Sequence, residues 1–359
     1  MQLQMYQELQ VLSPLVSTRE FYFLRYCQQI EQGTWAVMDV SYDFPQDSHY
    51  APQFRSHRCP SGCLIQDMPD GHSKITWVEH VEIEDKTLPH RLYRNLIYSG
   101  MAFGAERWLT TLQRMCERLT YLMATSNPTR DNLGGVISSP EGKRSMMKLA
   151  QRMVTNFCAN ISTSSGHRWT TLSGLNEIVV RVTVHKSSDP GQPNGVVLSA
   201  ATTIWLPTPP HAVFNFFKDE NKRPQAFNNS TQNMLILQES CIDSYGSFVV
   251  YCPVDLPSIN LAMSGEDPSY IPLLPNGFTI LPDGQPDQEG DDGASTSSNN
   301  ANRNIVRSGG SLVTIAFQIL VSSLPSAKLN MESVTTVNNL IGSTVQQIKS
   351  SLSCPTLPS

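Results

Sequence analysis

A stripe of apolar side chains predicts one long amphipathic helix between Pro89 and Met123. Steps of three and four residues separate its members, which are Met101, Ala105, Trp108, Leu112, Met115, Leu119 and Leu122. Such a stripe needs an apolar surface to cover, and the residues before it are rich in the Trp, Tyr, Phe and Val typical of strands. We therefore expect the helix to close over a curved antiparallel sheet and to enclose a binding cavity.

Five short segments of strand-like composition precede this helix. They cover residues 5–12, 20–28, 34–42, 63–68 and 74–83. Met68-Pro69-Asp70-Gly71-His72 is predicted to join the last two as a hairpin, because Asp-Gly accepts the positive φ angles of a tight turn. Residues 1–125 are thus expected to form one sheet-and-helix domain.

A second domain is predicted at residues 143–355, after a Pro-, Gly- and Ser-rich linker at 126–142. It opens with a helix, continues with strands and ends with another striped helix, so it repeats the plan of the first domain. Thr208 is predicted to cap an inner helix. Residues 283–308 are rich in Gly, Ser, Asn and acids and predict a disordered loop. The predicted fold class is α+β, with two helix-grip units, each a curved antiparallel sheet closed by a long carboxy-terminal helix.

The charge of the chain argues against direct nucleic-acid binding. A formal net charge of -5 and a pI near 5.9 provide no positive field for a phosphate backbone. The first residues lack a secretory signal, and no stretch predicts a membrane span. Because the eight cysteines are scattered, reduced thiols are expected. These features predict an intracellular protein.

The sequence contains no G-x-S-x-G, H-E-x-x-H, P-loop or dinucleotide-binding motif, so an enzyme is not expected. Asp39, Glu79 and His80 are the acid or base candidates, and catalysis would require them to converge in one pocket. If they point to different sides of the sheet, the enzyme hypothesis fails.

One group of potential zinc ligands lies close together in the sequence, but neither a metal nor another cofactor is expected. The group consists of His49, His57, Cys59 and Cys63. Its spacing lacks the paired C-x2-C elements of structural zinc sites, so an ordinary loop leading into a strand is the favoured interpretation.

Arg25 is the most informative charged residue, because strand alternation places it on one face with Phe21, Phe23 and Cys27. A guanidinium among aromatic side chains needs a partner, and Glu8 on a preceding strand is the candidate. This pair would offer a polar anchor to a hydroxyl-bearing lipid in an apolar cavity. The alternative is an exposed arginine on an edge strand.

A set of apolar residues is predicted to line the same cavity. It consists of Trp35, Trp77, Phe103, Trp108 and Leu112. Aromatic side chains in strands and on a helix stripe pack in cores more often than they contact ligands, so both roles stay open. Gly100 and Gly104 could let the helix bend over a ligand or only permit close packing.

The sequence resembles plant class IV homeodomain-leucine zipper transcription factors. In the first domain, the resemblance rests on ELQVLSPLV, REFYFLRYCQQ, GTWAVMDVSYD, PSGCLIQDMPDGHSKITWVEH and SGMAFGAERW. In the second, it rests on LAQRMVTNFCA, AATTIWLPTPPHAVFNFF, MLILQESCID, YIPLLPNGFTILPDG and GGSLVTIAFQILVSSLPSAKLNMESVTTVNNLI. Nearly the whole chain is covered.

The resemblance implies a partial START lipid-binding domain followed by a START-adjacent domain. It places Arg25 where START domains often carry an arginine in the lipid cavity, with Glu8 near its acidic partner. The implied ligand is a sterol, phospholipid or sphingolipid. DNA binding and nuclear localisation are implied only for a protein that carries the homeodomain and zipper, which this chain is expected to lack. The resemblance also suggests a homodimer.

Both domains are expected to be incomplete by comparison with the family. The chain begins inside the START domain, and a stretch is expected to be missing after Gln225, where the family continues through a Trp-Asp motif. The favoured function is the lipid-binding regulatory region of such a transcription factor. The alternatives are a stand-alone intracellular lipid-transfer or lipid-binding protein and a helix-grip enzyme.

Overall fold

The computed structural model describes residues 2–42, 56–83, 88–125, 137, 139–164, 168–172, 178–222, 233–285 and 309–352. Within these residues the chain forms two large antiparallel sheets, a two-stranded ribbon and helices packed against the sheets. This architecture confirms the predicted α+β class. No helix in the described part of the chain is long and apolar enough to cross a membrane.

The first sheet and the ribbon contain the strands β1 (Gln2–Leu9), β2 (Arg19–Glu31), β3 (Thr34–Ser41), β4 (Ser56–Arg58), β5 (Ser61–Asp67), β6 (Ser73–Val78) and β7 (Val81–Ile83). The sheet order is β1-β2-β3-β5-β6, all antiparallel, and these are the five predicted strands. The amide of Met68 donates to the carbonyl of His72 (2.8 Å) and Gly71 has φ +82°, which confirms the hairpin.

The ribbon of β4 and β7 was not predicted. Residues 74–83 were expected to form one strand, but β6 ends at Val78 and β7 begins at Val81. Ser61 holds the intervening turn, because its hydroxyl accepts from the amide of His80 (2.9 Å). The amide of Cys59 donates to the carbonyl of His80 (3.0 Å), which extends the ribbon ladder by one pair.

The predicted helix Pro89–Met123 is wrong in its first half. The structure has a short α1 (Arg94–Tyr98), a turn, and the long α2 (Ala105–Thr125). Gly100 adopts φ +77°, a left-handed conformation that ends α1. Ala102 and Phe103 are buried in the turn, so their apolar character reflects core packing rather than a helix stripe.

The second sheet contains β8 (Thr170–Leu172), β9 (Val180–Ser187), β10 (Gly195–Leu206), β11 (Met234–Ile242), β12 (Ser247–Asp255), β13 (Asn276–Pro282) and β14 (Ser311–Ser322). Its order is β11-β12-β13-β14-β10-β9-β8. The helices of this unit are α3 (Pro140–Asn160), α4 (Pro210–Lys218), α5 (Leu256–Met263) and α6 (Met331–Leu352). The strands β8 and β13 and the helix α5 were not predicted.

Helices cover both faces of the second sheet. Residues of α4 and α6, such as Phe217 and Ile341, pack with Phe278 on one face, and residues of α3, such as Phe157, pack with Val250 on the other. The predicted cap Thr208 is wrong, because Pro209 occupies the N-cap position of α4 and makes no side-chain cap.

The two units share a hydrophobic core. Leu281 and Leu312 of the second sheet pack in one cluster with Leu9, Phe21 and Leu96 of the first unit. The domain boundaries stay predictions, because linker residues 126–136 and loop residues 286–308 lie outside the described residues.

The shared core contains a hydroxyl cluster that joins the units by hydrogen bonds. The Tyr93 hydroxyl, fully buried, lies 2.9 Å from Thr314 Oγ1, and Thr203 Oγ1 lies 3.0 Å from the same atom. Ser13 Oγ lies 3.1 Å from Thr203 Oγ1. Each of these polar groups therefore has its partner in the other unit or in the same small cluster, as buried hydroxyls require.

Candidate functional site

The face of the first sheet that α2 covers, here called the inner face, carries aromatic and charged side chains together. Strand alternation puts Phe21, Phe23 and Arg25 of β2 on this face. The side chain of Trp77 on β6 joins them from the opposite edge of the sheet, since the register links Trp77 to Cys63, Cys63 to Val37 and Val37 to Cys27.

Arg58 lies at the centre of a buried group of four charges, here called the charge cluster: Arg25, Asp39, Arg58 and Glu79. The Arg58 side chain is fully buried, and its Nη1 donates to Asp39 Oδ2 at 2.9 Å. Its Nη2 lies 3.0 Å from Glu79 Oε1. Two cations therefore face two anions, which is what buried charges require.

Aromatic rings enclose the Arg58 guanidinium. Its carbon Cζ lies 4.6 Å from the ring centre of Phe23, 5.5 Å from Phe21 and 5.7 Å from Trp108. Cations at these distances are attracted by the negative faces of the rings. The structure thus attaches α2 to the sheet through Trp108, which also stacks on Trp77 with ring centres 5.5 Å apart.

The predicted pairing of Arg25 with Glu8 is wrong. Arg25 makes a bidentate contact with Asp39, Nε to Oδ1 and Nη2 to Oδ2, both at 2.8 Å. Glu8 lies opposite Glu20, on the other face of the sheet, where it accepts a hydrogen bond from Tyr6. Arg25 does lie on the inner face as predicted, and its side chain remains 30% exposed.

Burial raises the pKa of Glu79 above its ordinary value, while Arg58 and a hydrogen bond from Trp77 act in the opposite direction. Trp77 Nε1 donates to Glu79 Oε2 at 3.1 Å. The pKa of Arg25 is raised by its hydrogen bond to Asp39. The electrostatics of the cluster therefore keep Arg25 charged and make Glu79 easier to protonate than an ordinary glutamate.

The other predicted lining residues differ in their surroundings. Phe103 is buried in the shared core, and Leu112 is half-buried one turn after Trp108 on α2. Trp35 belongs to the inner row by register, because it lies opposite Gln29 and Ile65, but it is 45% exposed at the end of the sheet. The structure brings Arg25, Trp77 and Trp108 to one cluster.

The acid and base candidates do not converge. Asp39 and Glu79 both contact Arg58, but His80 is exposed and follows Glu79 on the opposite face of the chain. Both carboxylates are engaged by arginine. The geometry therefore lacks the three-residue convergence that the enzyme hypothesis required.

A separate cleft of about 870 Å³ opens between the helices α2 and α3 and the hairpin formed by the end of β11 and the start of β12. Apolar side chains such as Met115, Val154 and Leu237 line it. Ion pairs join α2 to β11 and to the turn after it, Arg118 to Glu239 and Arg114 to Asp243. The predicted lipid-contacting residues are not among the described residues that line this cleft.

Arg58 was missed by sequence reasoning, and Asp39 was recognised only as an acid candidate. The single available signal for Asp39 was that it lies across the β2–β3 hairpin from Arg25. No local pattern marked Arg58, since its strand has three residues.

Residues 3–118 match the START domain family, and residues 139–226 and 224–354 match the PDF2-like C-terminal domain family. The two segments of the second match meet where the sequence predicts a missing stretch.

Several homeobox-leucine zipper proteins are similar to this chain. HDG11 of Arabidopsis thaliana is 57% identical over 98% of the chain and 51% of the relative. ROC8 of Oryza sativa subsp. japonica is 55% identical over 98% of the chain and 54% of the relative. ANTHOCYANINLESS 2 of Arabidopsis thaliana is 47% identical over 97% of the chain and 46% of the relative.

The chain spans about half the length of these curated relatives. The family matches account for both structural units, the first sheet with α2 and the second sheet with its helices. The chain therefore belongs to the PDF2-like C-terminal domain family, carries a START domain before that region, and is similar to homeobox-leucine zipper proteins of Arabidopsis thaliana and rice.

Proposed function

We propose that the inner face of the first sheet binds a lipid and that the chain is the ligand-sensing regulatory region of a nuclear homeobox-leucine zipper transcription factor. The START match and the names of the relatives support this proposal. DNA binding would belong to the homeobox part of such a protein, and dimerisation to its zipper.

The observation that carries the proposal is the partly exposed side chain of Arg25 at the edge of an aromatic surface. Asp39 occupies the Nε and Nη2 of Arg25, and among the described residues no acceptor is bound to its Nη1. A hydroxyl or phosphate oxygen of a ligand would accept a hydrogen bond from this Nη1. Such a bond is stronger than one between neutral groups because the guanidinium is charged. Trp35 and Leu112 would then contact the apolar part of the ligand.

The charge cluster supports a ligand with a polar end. The Nε of Arg58 and the Nε1 of Trp108 are buried and bind no acceptor among the described residues. Buried donors are normally paired, so an oxygen of a ligand would remove a cost of about 1–3 kcal/mol for each donor. Sterols, phospholipids and sphingolipids all offer such an oxygen.

Ligand binding would be converted into stability by mass action. A ligand at 100 times its dissociation constant stabilises the folded state by about 2.7 kcal/mol. Because Leu281 and Leu312 of the second unit share the core with the first, this stabilisation would extend to the carboxy-terminal domain.

The experiment measures thermal unfolding and retained lipid with cholesterol, phosphatidylcholine and ceramide as probes. At least one probe should raise the Tm of the chain and co-purify with it in mass spectrometry. Arg25→Met should abolish the shift, whereas Glu8→Gln, on the other face of the sheet, should keep it. Absence of any shift, or an equal loss in both variants, contradicts the proposal.

A third variant tests where the lipid lies. Val154→Trp fills the cleft between α2 and α3 and leaves the inner face intact. If Val154→Trp still binds lipid, the inner face is supported as the binding site. If Val154→Trp loses lipid binding while Arg25→Met keeps it, the lipid lies in the cleft. Rapid transfer of the probe between vesicles by the chain would favour the lipid-transfer alternative.

A further inference from the structure

The ribbon of β4 and β7 presents four potential metal ligands on one face. His57 pairs with Glu82 and Arg58 pairs with Val81 in the register, and the backbone bond from Cys59 to His80 adds the next pair. Because side chains alternate along a strand, His57, Cys59, His80 and Glu82 share one face. Arg58 and Val81 point to the other face, into the core.

The donor atoms of three of these residues already lie close together. Cys59 Sγ, an imidazole nitrogen of His80 and a carboxylate oxygen of Glu82 lie within 4.8 Å of one another. Cys59 is half-buried and is a free thiol, while His80 and Glu82 are exposed. Within the described part of the chain, no side-chain hydrogen bond or ion pair engages any of the four residues.

We propose that this face binds a zinc ion through Cys59, His80 and Glu82, with His57 as the fourth ligand. Thiolate, imidazole and carboxylate are the groups that Zn²⁺ takes in proteins, in tetrahedral sites with bonds of about 2.0–2.3 Å. Such bonds place donor atoms about 3.3–3.8 Å apart, so the three residues need to close by about 1 Å.

The backbone already holds the ligands in place. The amide of Cys59 and the carbonyl of His80 are bonded to each other, and the Ser61 hydroxyl lies 3.2 Å from that carbonyl and accepts from the amide of His80. His57 lies opposite Glu82 on the same face but outside the group whose donor atoms lie within 4.8 Å of one another, so its side chain would have to move toward that group to complete the site.

The site would act on the charge cluster through the backbone. Each strand of the ribbon has three residues, which is short for a stable pair. A zinc ion that joins the strands on the outer face would fix Arg58 on the inner face between Asp39 and Glu79. Zinc binding would therefore order the charge cluster on the inner face.

This ligand set differs from the one that the sequence spacing suggested. His49 lies outside the described residues, and Cys63 lies on the inner face of β5 opposite Trp77. His57 and Cys59 remain, and the pairing of β4 with β7 adds His80 and Glu82, which lie at least 21 residues further along the chain. Spacing along the chain could not reveal this pairing.

The test uses the full chain, first stripped of metal with a chelator. Zinc affinity is measured by competition with a chromophoric chelator, and cobalt(II) is added separately as a spectroscopic probe of thiolate ligation. The ligand variants are Cys59→Ser, His80→Gln and Glu82→Gln. The matched controls are Cys116→Ser on exposed α2 and His72→Gln on the exposed hairpin.

The chain is expected to bind one zinc ion, and each ligand variant should weaken this affinity at least tenfold. The controls should bind as the unmodified chain does, and Cys59→Ser should lose the thiolate-to-cobalt charge-transfer band. Circular dichroism establishes that each variant is folded, and the exposed Glu82→Gln keeps the test valid if Cys59→Ser does not fold. No stoichiometric zinc, or equal losses in ligand and control variants, overturns the proposal. These readouts need no lipid, so they are independent of the proposed lipid site.

Discussion

Replacing Arg58 by Met tests whether the charge cluster is held together as described. The side chains of Arg58, Asp39 and Glu79 are 0%, 2% and 1% exposed. Arg58→Met leaves Glu79 without its ion-pair partner, while Asp39 keeps Arg25. Removing one partner of a buried ion pair costs about 3–5 kcal/mol, so we expect a decrease of that size in the free energy of unfolding of the first unit.

A second substitution separates the charge effect from lost packing. Glu79→Gln in the Arg58→Met background removes the uncompensated carboxylate, so the double variant should be more stable than Arg58→Met alone. We expect a coupling free energy of at least about 1.5 kcal/mol between the two positions. Lys74→Met removes an exposed cation from β6 and should change stability by less than about 0.5 kcal/mol.

The pH dependence of the same variants gives an independent measurement. Because burial raises the pKa of Glu79 above its ordinary value of 4.5, the folded state binds more protons there than the unfolded state. Its contribution to stability therefore falls as pH rises from 4.5 through the raised pKa. Without Arg58 the opposing effect is lost, so Arg58→Met should be more destabilised at pH 7.5 than at pH 5, and the double variant should not show this difference.

The assay is urea unfolding followed by the fluorescence of the tryptophans, with the m-value checked in each variant. Additive effects of the two substitutions, or a penalty for Arg58→Met that is the same at both pH values, would refute the argument that a buried carboxylate is left unpaired.

Two further predictions concern the contact between the two units and the core of the second unit. Tyr93→Phe removes the hydroxyl that contacts Thr314 across the two units. We expect the free energy of unfolding in urea to fall by about 1 kcal/mol, because a neutral buried hydrogen bond contributes that much. An unchanged unfolding midpoint contradicts this role. Burial raises the pKa of the Cys252 thiol to about 11, so about one molecule in 1000 carries the thiolate at pH 8. Mass spectrometry after brief alkylation should find exposed Cys116 modified and Cys252 intact, and rapid native-state labelling of Cys252 would show that β12 opens.

Much of the first sheet could be predicted because its strands alternate apolar and polar residues. Arg25 was placed correctly on the face of Phe21 and Phe23 by this alternation. Its partner was not, because the predicted partner Glu8 pairs with Glu20 on the other face of the sheet. The observed partner Asp39 is hidden from simple pairing by an irregularity between Gln29 and Glu31 in the β2–β3 ladder. Glu31 pairs with Thr34, and an unbroken ladder would put Val40 opposite Arg25. The irregularity shifts the register by one residue and brings Asp39 there instead.

Arg58 and the first half of the predicted helix escaped prediction for different physical reasons. Arg58 lies in a three-residue strand whose partner is distant in the chain, so no local periodicity marks it. The helix stripe included Met101, but Gly100 at φ +77° turns the chain there. The apolar residues of this turn fill the shared core, and composition alone does not distinguish such a turn from a helix.

The hydroxyl cluster of Ser13, Tyr93, Thr203 and Thr314 has a practical consequence for exchanging regions between relatives. A chimera that takes its first unit from one relative and its second from another would have to match these four positions and the leucines around them. Exchanges that carry both units together should preserve folding, whereas a junction placed between them separates the hydroxyls from their partners.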